Sequence, residues 1–189
     1  MNTALIALVA STFFVLIAEM GDKTQLVALS FATRYKPMKV LTGIFLATLL
    51  VHLVSALVGA QVARFIPMQM LKVVVGLSFI GFGIWTLRGD KISDDGKNSR
   101  FGPVMTVGIA FFLAELGDKT QLATIALAAR YQSFIAVWIG STIGMVIADG
   151  LAIIIGVIAG KQLPEHIIRY VSATIFFIAG IATIIEAIV

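Results

Sequence analysis

The chain has 189 residues, of which 59% are hydrophobic and only 13% charged, with a mean hydropathy of +1.03. A soluble domain is about 45–50% apolar and about 25% charged, so this composition excludes an ordinary water-soluble globule and points to an integral membrane protein. There is no cysteine, which excludes disulfides and thiolate metal sites, and the formal net charge of +4 reads as loop charge that sets orientation rather than as a nucleic-acid footprint.

A membrane-spanning helix needs about 20 mostly apolar residues. The opening stretch MNTALIALVASTFFVLIAEM is apolar from its start, with no basic n-region and no obvious small-residue cleavage site, so it reads as a first membrane helix and not as a signal peptide. Six apolar segments can be traced in order: Thr3–Thr33, Val40–Arg64, Met70–Leu87, Val104–Ala129, Phe134–Gly160 and Ile167–Val189. The short connections RYKPMK, RFIPMQ, RYQS and KQLPEH separate them, and Pro37, Pro67 and Pro164 fall where helices should stop. The one long polar piece, RGDKISDDGKNSRFGP from Arg88 to Pro103, has the composition of a flexible loop between two halves.

The halves repeat. At an offset of 96, Glu19–Tyr35 aligns with Glu115–Tyr131, with ten of seventeen positions identical. At an offset of 97, Gly43, Gly59, Pro67 and Gly83 fall on Gly140, Gly156, Pro164 and Gly180. This is a duplicated three-helix unit. A unit with an odd number of spans enters on one side and leaves on the other, so its copy lies upside down in the bilayer. The expected fold is therefore an all-α membrane protein of six transmembrane helices in two inverted repeats, residues 1–87 and 104–189, joined by a cytoplasmic linker at 88–103. Inverted repeats of this kind are a common plan for secondary transporters, with the site at the midplane. Nine basic residues fall in the loops after the first, third and fifth segments, against Arg64, Lys72 and Arg130 on the opposite side. That bias places the linker in the cytoplasm and both termini outside the cell.

Two near-identical polar runs interrupt the first and fourth segments: EMGDKTQL from Glu19 and ELGDKTQL from Glu115. A charge at bilayer depth costs at least about 2.5–3.5 kcal/mol, so three charges per run must be offset by pairing, water or a bound ion. Glu19 and Asp22, like Glu115 and Asp118, are three residues apart and would share a helix face. Inversion of one copy turns the two pairs toward each other, so that four carboxylates could line one cavity. Gly21 and Gly117 predict a kink or unwound turn within each run, hence broken first and fourth helices.

These carboxylates, with Gln25 and Gln121, form a set of hard oxygen donors that suits Ca²⁺, Mn²⁺ or Mg²⁺ better than Cu⁺ or Zn²⁺. Lys23 and Lys119 have no lone pair and read as internal counter-ions. If both point inward, the net charge of the four carboxylates and two lysines is one that a divalent cation or two protons would neutralise, which is the logic of a cation/proton antiporter. Asp22 with Gln25, and Asp118 with Gln121, also resemble helix-capping pairs, so the glutamines can be caps, ligands or both. Thr24 and Thr120 read as polar groups supporting the helix break. His52 falls on Asp149 at the offset of 97, both at mid-membrane depth, and either could relay protons or serve as a structural pair.

The twin motifs EMGDKT (Glu19–Thr24) and ELGDKT (Glu115–Thr120), each in the first helix of a three-helix repeat, resemble the Gdt family of cation/proton antiporters over essentially the whole chain. The resemblance implies that Glu19, Asp22, Glu115 and Asp118 bind the cation and that Mn²⁺ and/or Ca²⁺ moves against protons. It also implies an inner-membrane exporter like the small bacterial MneA-type members. No resident cofactor is expected, and the partners are the divalent cation and the bilayer, with a homo-oligomer left open. Three rival readings remain: an exporter of a cationic amino acid, a passive cation channel, and an intramembrane aspartyl protease using Asp22 and Asp118.

Overall fold

The computed structural model describes residues 3–88, 102–159 and 165–188, and within this range the chain is helical without strands. Eight helices follow in order: α1 (Thr3–Glu19), α2 (Lys23–Ala32), α3 (Pro37–Phe65), α4 (Met68–Arg88), α5 (Pro103–Glu115), α6 (Lys119–Tyr131), α7 (Phe134–Ala159) and α8 (Glu165–Ile188). Most of the expected linker, residues 89–101, lies outside the described residues, as do Lys161 and Pro164.

The first and fourth apolar segments are each broken in two, as the internal glycines predict. Helix α1 and the Thr24–Ala32 stretch of α2 are bent by 77°. Pro37 and Pro103 stand at the first turns of α3 and α5, where the missing N–H costs no helical hydrogen bond. Three described helices are long and apolar enough to cross a membrane: Pro37–Phe65, Met68–Leu87 and Phe134–Gly156. The bent α1–α2 pair makes a fourth candidate span. Helix α5 and the Ala173–Ile188 part of α8 are apolar but shorter, so six continuous spans are not all present as such. The fourth segment falls short because its break leaves α5 with only 13 residues.

Packing joins the two halves element by element. Helix α1 lies against α7 and α5 against α3; α6 packs on α3 and α2 on α7; α4 pairs with α8. Each relation has a counterpart when the halves are exchanged. An aromatic cluster ties α1, α4 and α8 together: Phe14 stacks on Phe79 with ring centroids 5.1 Å apart, and Phe176 meets Phe79 and Phe82 at 6.0 Å. Long apolar side chains such as Leu50, Leu77, Ile154 and Ile178 face outward, as a lipid-facing surface requires.

Between helices in lipid, packing rather than water exclusion supplies the stability. We expect Phe79→Ala, at a buried cluster position, to lower the unfolding free energy in detergent by no more than about 3–5 kcal/mol. Leu77→Ala, on the outward face, should stay within about 0.5 kcal/mol of the parent. Equal losses from the two would contradict the assigned faces.

Candidate cation site

Each polar run sits where a helix stops and restarts. Helix α1 ends at Glu19, Gly21 takes φ +75°, and Asp22 is the N-cap residue of α2 with extended backbone. Helix α5 ends at Glu115, Gly117 takes φ +78°, and Asp118 caps α6 in the same conformation. The left-handed backbone at these two positions favours glycine, since a Cβ there meets the neighbouring carbonyl. In each turn the aspartate N–H bonds back to the glutamate carbonyl, at 3.0 Å in the first and 3.2 Å in the second.

The expected capping pairs are made by only one partner. Gln25 Oε1 accepts from Gly21 N–H at 2.8 Å and Gln121 Oε1 from Gly117 N–H at 2.7 Å. Neither Asp22 nor Asp118 makes a side-chain cap bond to its own helix. The glutamines thus satisfy backbone donors at the break.

Asp22 Oδ2 accepts from Thr24 Oγ1 of its own motif at 3.2 Å. Its Oδ1 forms a buried salt bridge with Lys119 Nζ, joining the first motif to the second. Thr24 Oγ1 donates to Glu19 Oε1, and Thr120 Oγ1 donates to Glu115 Oε2 at 2.6 Å. Each threonine therefore ties its own motif's glutamate across the break. Glu19, Asp22, Glu115 and Asp118 are all buried, with Glu115 within electrostatic reach of the other three and Glu19 within reach of Asp22.

Asp149, from the middle of α7, joins this cluster through its interactions with Asp22, Glu19 and Glu115. Both Asp149 oxygens, Glu19 Oε2 and Glu115 Oε1 have no hydrogen-bond partner. His52, on α3, is also fully buried with both ring nitrogens unpartnered. The Lys23 side chain lies outside the described residues. Among the described residues, five buried carboxyl groups face one buried ammonium, that of Lys119.

No three His, Asp or Glu residues among those described are grouped closely enough to hold a metal ion as they stand. The arrangement is an acidic cluster with an internal cation seated on one of its members. The two glutamines differ in surroundings: Gln25 is buried and its Nε2 donates to Ala148 O on α7 at 3.0 Å, whereas Gln121 is partly exposed.

Sequence reasoning passed over Arg130, counted only as loop charge. It donates to the Thr183 hydroxyl and, at 2.9 Å, to Glu186. The signal was available, because Arg34 and Arg130 are matched in the duplication and Thr86 matches Thr183 at the offset of 97.

Removing one member of a buried ion pair strands the other charge and costs about 3–5 kcal/mol. Lys119→Met should therefore destabilise the protein by that order in detergent unfolding. The double variant Lys119→Met/Asp22→Asn should be clearly more stable than the sum of the singles predicts. Additive losses would mean that the pair does not form.

A model of the family described as "Divalent cation/proton antiporter GDT1" matches the chain in two stretches, residues 7–94 and 103–189. Among similar proteins, the "Putative manganese exporter" of Vibrio cholerae is 41% identical over 171 residues, covering 89% of this chain and 86% of that protein. "GDT1-like protein sll0615" of Synechocystis is 26% identical over 95% of this chain and 97% of its own length. "GDT1-like protein 4" of Arabidopsis thaliana is 27% identical over 100% and 99%. No solved structure matches the chain. With family matches in both halves and a relative of 41% identity along most of its length, the chain belongs to the GDT1 family of divalent cation/proton antiporters.

Proposed function

We propose that this protein exports a divalent cation, Mn²⁺ first and Ca²⁺ second, across the bacterial inner membrane in exchange for protons. The site is the midplane cluster of Glu19, Asp22, Glu115 and Asp118, reached by alternating access between two inverted three-helix repeats. The observation that carries this reading is the buried acidic cluster, in which carboxyl groups outnumber the one described ammonium. Such a cluster must be neutralised, and a divalent cation or protons can do it in turn. Binding of the cation releases protons, and protonation releases the cation.

Lys119 acts as a tethered stand-in for cargo. Its ammonium sits on Asp22 when no metal does and swings away when one binds. Gln25 and Gln121 keep a second lone pair on Oε1 beyond the bond from glycine N–H, and complete the oxygen shell from both sides. Lys23 is the counterpart of Lys119 in the first motif. Asp149 and His52 carry protons between the cluster and the two aqueous faces. Manganese is favoured by the name of the Vibrio cholerae relative and by an all-oxygen donor set. The bias of basic residues supports a central loop in the cytoplasm and both termini outside it.

A second reading is favoured by one observation. Asp22 already holds a primary ammonium, so a cationic amino acid could occupy the same place. The two readings separate in proteoliposomes. We expect an imposed pH gradient to drive Mn²⁺ movement, and Glu19→Gln or Glu115→Gln to reduce it by about 100-fold or more, through loss of a charged hydrogen-bonding group at the site. Flux that ignores the pH gradient would contradict antiport and indicate a channel. Lysine or arginine flux without Mn²⁺ flux would establish the second reading.

A further inference from the structure

The duplicated halves hold the same residues in two different arrangements. At the far end of α6, Arg130 donates to the buried hydroxyl of Thr183 on α8, which donates in turn to Ala179 O at 2.8 Å. Arg130 also reaches Glu186 Oε2 at 2.9 Å. The equivalent residues in the first half are Arg34, just past α2, and Thr86, on α4. There Arg34 is exposed, and the Thr86 hydroxyl is buried without a hydrogen-bond partner. A buried donor left unmade is costly, so the Thr86 hydroxyl is a group waiting for a partner.

Neighbouring contacts differ in the same sense. A Cβ on Gly59 of α3 would lie 2.2 Å from Ile125 O, so the main chain of α6 rests directly on α3. At the counterpart, Gly156 of α7, the three nearest atoms all belong to the Leu29 side chain, which stands between α2 and α7. Ala128 on α6 is fully buried, while its counterpart Ala32 on α2 is half-buried.

At the motif ends the relation reverses. Gln25 clasps Ala148 O on α7, whereas the carbonyl of the counterpart, Val51 on α3, accepts from Ser55 Oγ at 2.8 Å. Thus α6 is drawn in at its Arg130 end and eased at its motif, and α2 is drawn in at its motif and eased at its Arg34 end.

We propose that Arg34 and Thr86 form the latch that closes the Arg34 end when the transporter faces the other way, as Arg130 and Thr183 close the opposite end here. Helices α2 and α6 are the two rocking gates. In the exchanged state Arg34 donates to Thr86, Gln121 takes the Val51 carbonyl, and Arg130 leaves Thr183. Glu186 has no acidic counterpart, since Gly89 occupies the matching position, so the Arg130 end closes the more firmly. This inference rests on the alternating-access reading above.

The chain has no cysteine, so single thiols report without background. Ala32→Cys and Ala128→Cys, a matched pair, would be modified by a small water-soluble thiol reagent supplied to both sides of proteoliposomes. The Ala128→Cys rate reads the population of the exchanged state. Thr86→Val and Arg34→Gln should each lower it by about tenfold, because they remove a charge-assisted hydrogen bond made only in that state. Thr183→Val should raise it by a similar factor, and Thr86→Ser should restore it. Thr86→Val keeps the side-chain shape, so it decides the matter even if Thr183→Val fails to fold. An Ala128→Cys rate unmoved by Thr86→Val overturns the latch, whatever the flux. The expected labelling shifts in a protein without proton-driven Mn²⁺ flux would overturn the transport reading and leave the latch standing.

Discussion

The structure depends on one constraint: charge buried in an apolar bilayer must be balanced on the spot. Five carboxyl groups lie at or beside the two helix breaks or on α7, all of them inaccessible to water. The Lys119–Asp22 salt bridge is the described protein's own answer to part of that load, and it spans the two motifs rather than closing within one. The second copy lends its lysine to the first, and the two halves are held together at their most polar point. A buried ion pair gives modest net stability but is costly to break from one side, which makes it a good device for fixing how two units meet.

The breaks at Gly21 and Gly117 make this possible. A continuous helix would satisfy its own backbone and point Glu19 and Asp22 along one face. The break instead leaves the Gly21 and Gly117 N–H groups in need of acceptors, and the glutamine of each motif supplies one. With the glutamine serving the backbone and the threonine serving the glutamate, Asp22 reaches across to Lys119. The glutamine and the threonine of each run thus have tasks at the break.

Much of this was legible in the sequence, because it follows from local rules. Glycine inside an apolar segment predicted the breaks, whereas Pro37, read as a place where a helix stops, stands at the first turn of α3. The three-residue spacing of glutamate and aspartate predicted one shared helix face, but the break puts the glutamate at the end of one helix and the aspartate at the N-cap of the next. Other features were illegible for a physical reason. Two copies of one sequence carry no record of which is clasped and which is eased, yet Gln25 reaches Ala148 while Gln121 stands partly exposed. That difference belongs to the conformation, not to the residues. The expected cap from Asp22 fails for a related reason: a local capping bond competes with a salt bridge to a distant lysine, and in a low-dielectric interior the charged partner wins. Arg130 looked like loop charge because its partners, Thr183 and Glu186, lie more than fifty residues away.

The central claim is that both motifs hold one cation between them and that Lys119 yields its place to it. An anomalous-scattering map from crystals grown with Mn²⁺ tests this most directly. The account predicts a single peak bridged by carboxylates of both motifs, with Glu19 and Asp22 on one side and Glu115 and Asp118 on the other. The Lys119 ammonium should be turned away from Asp22. A peak bound by one motif alone, or a metal bound elsewhere while Lys119 still sits on Asp22, would contradict it.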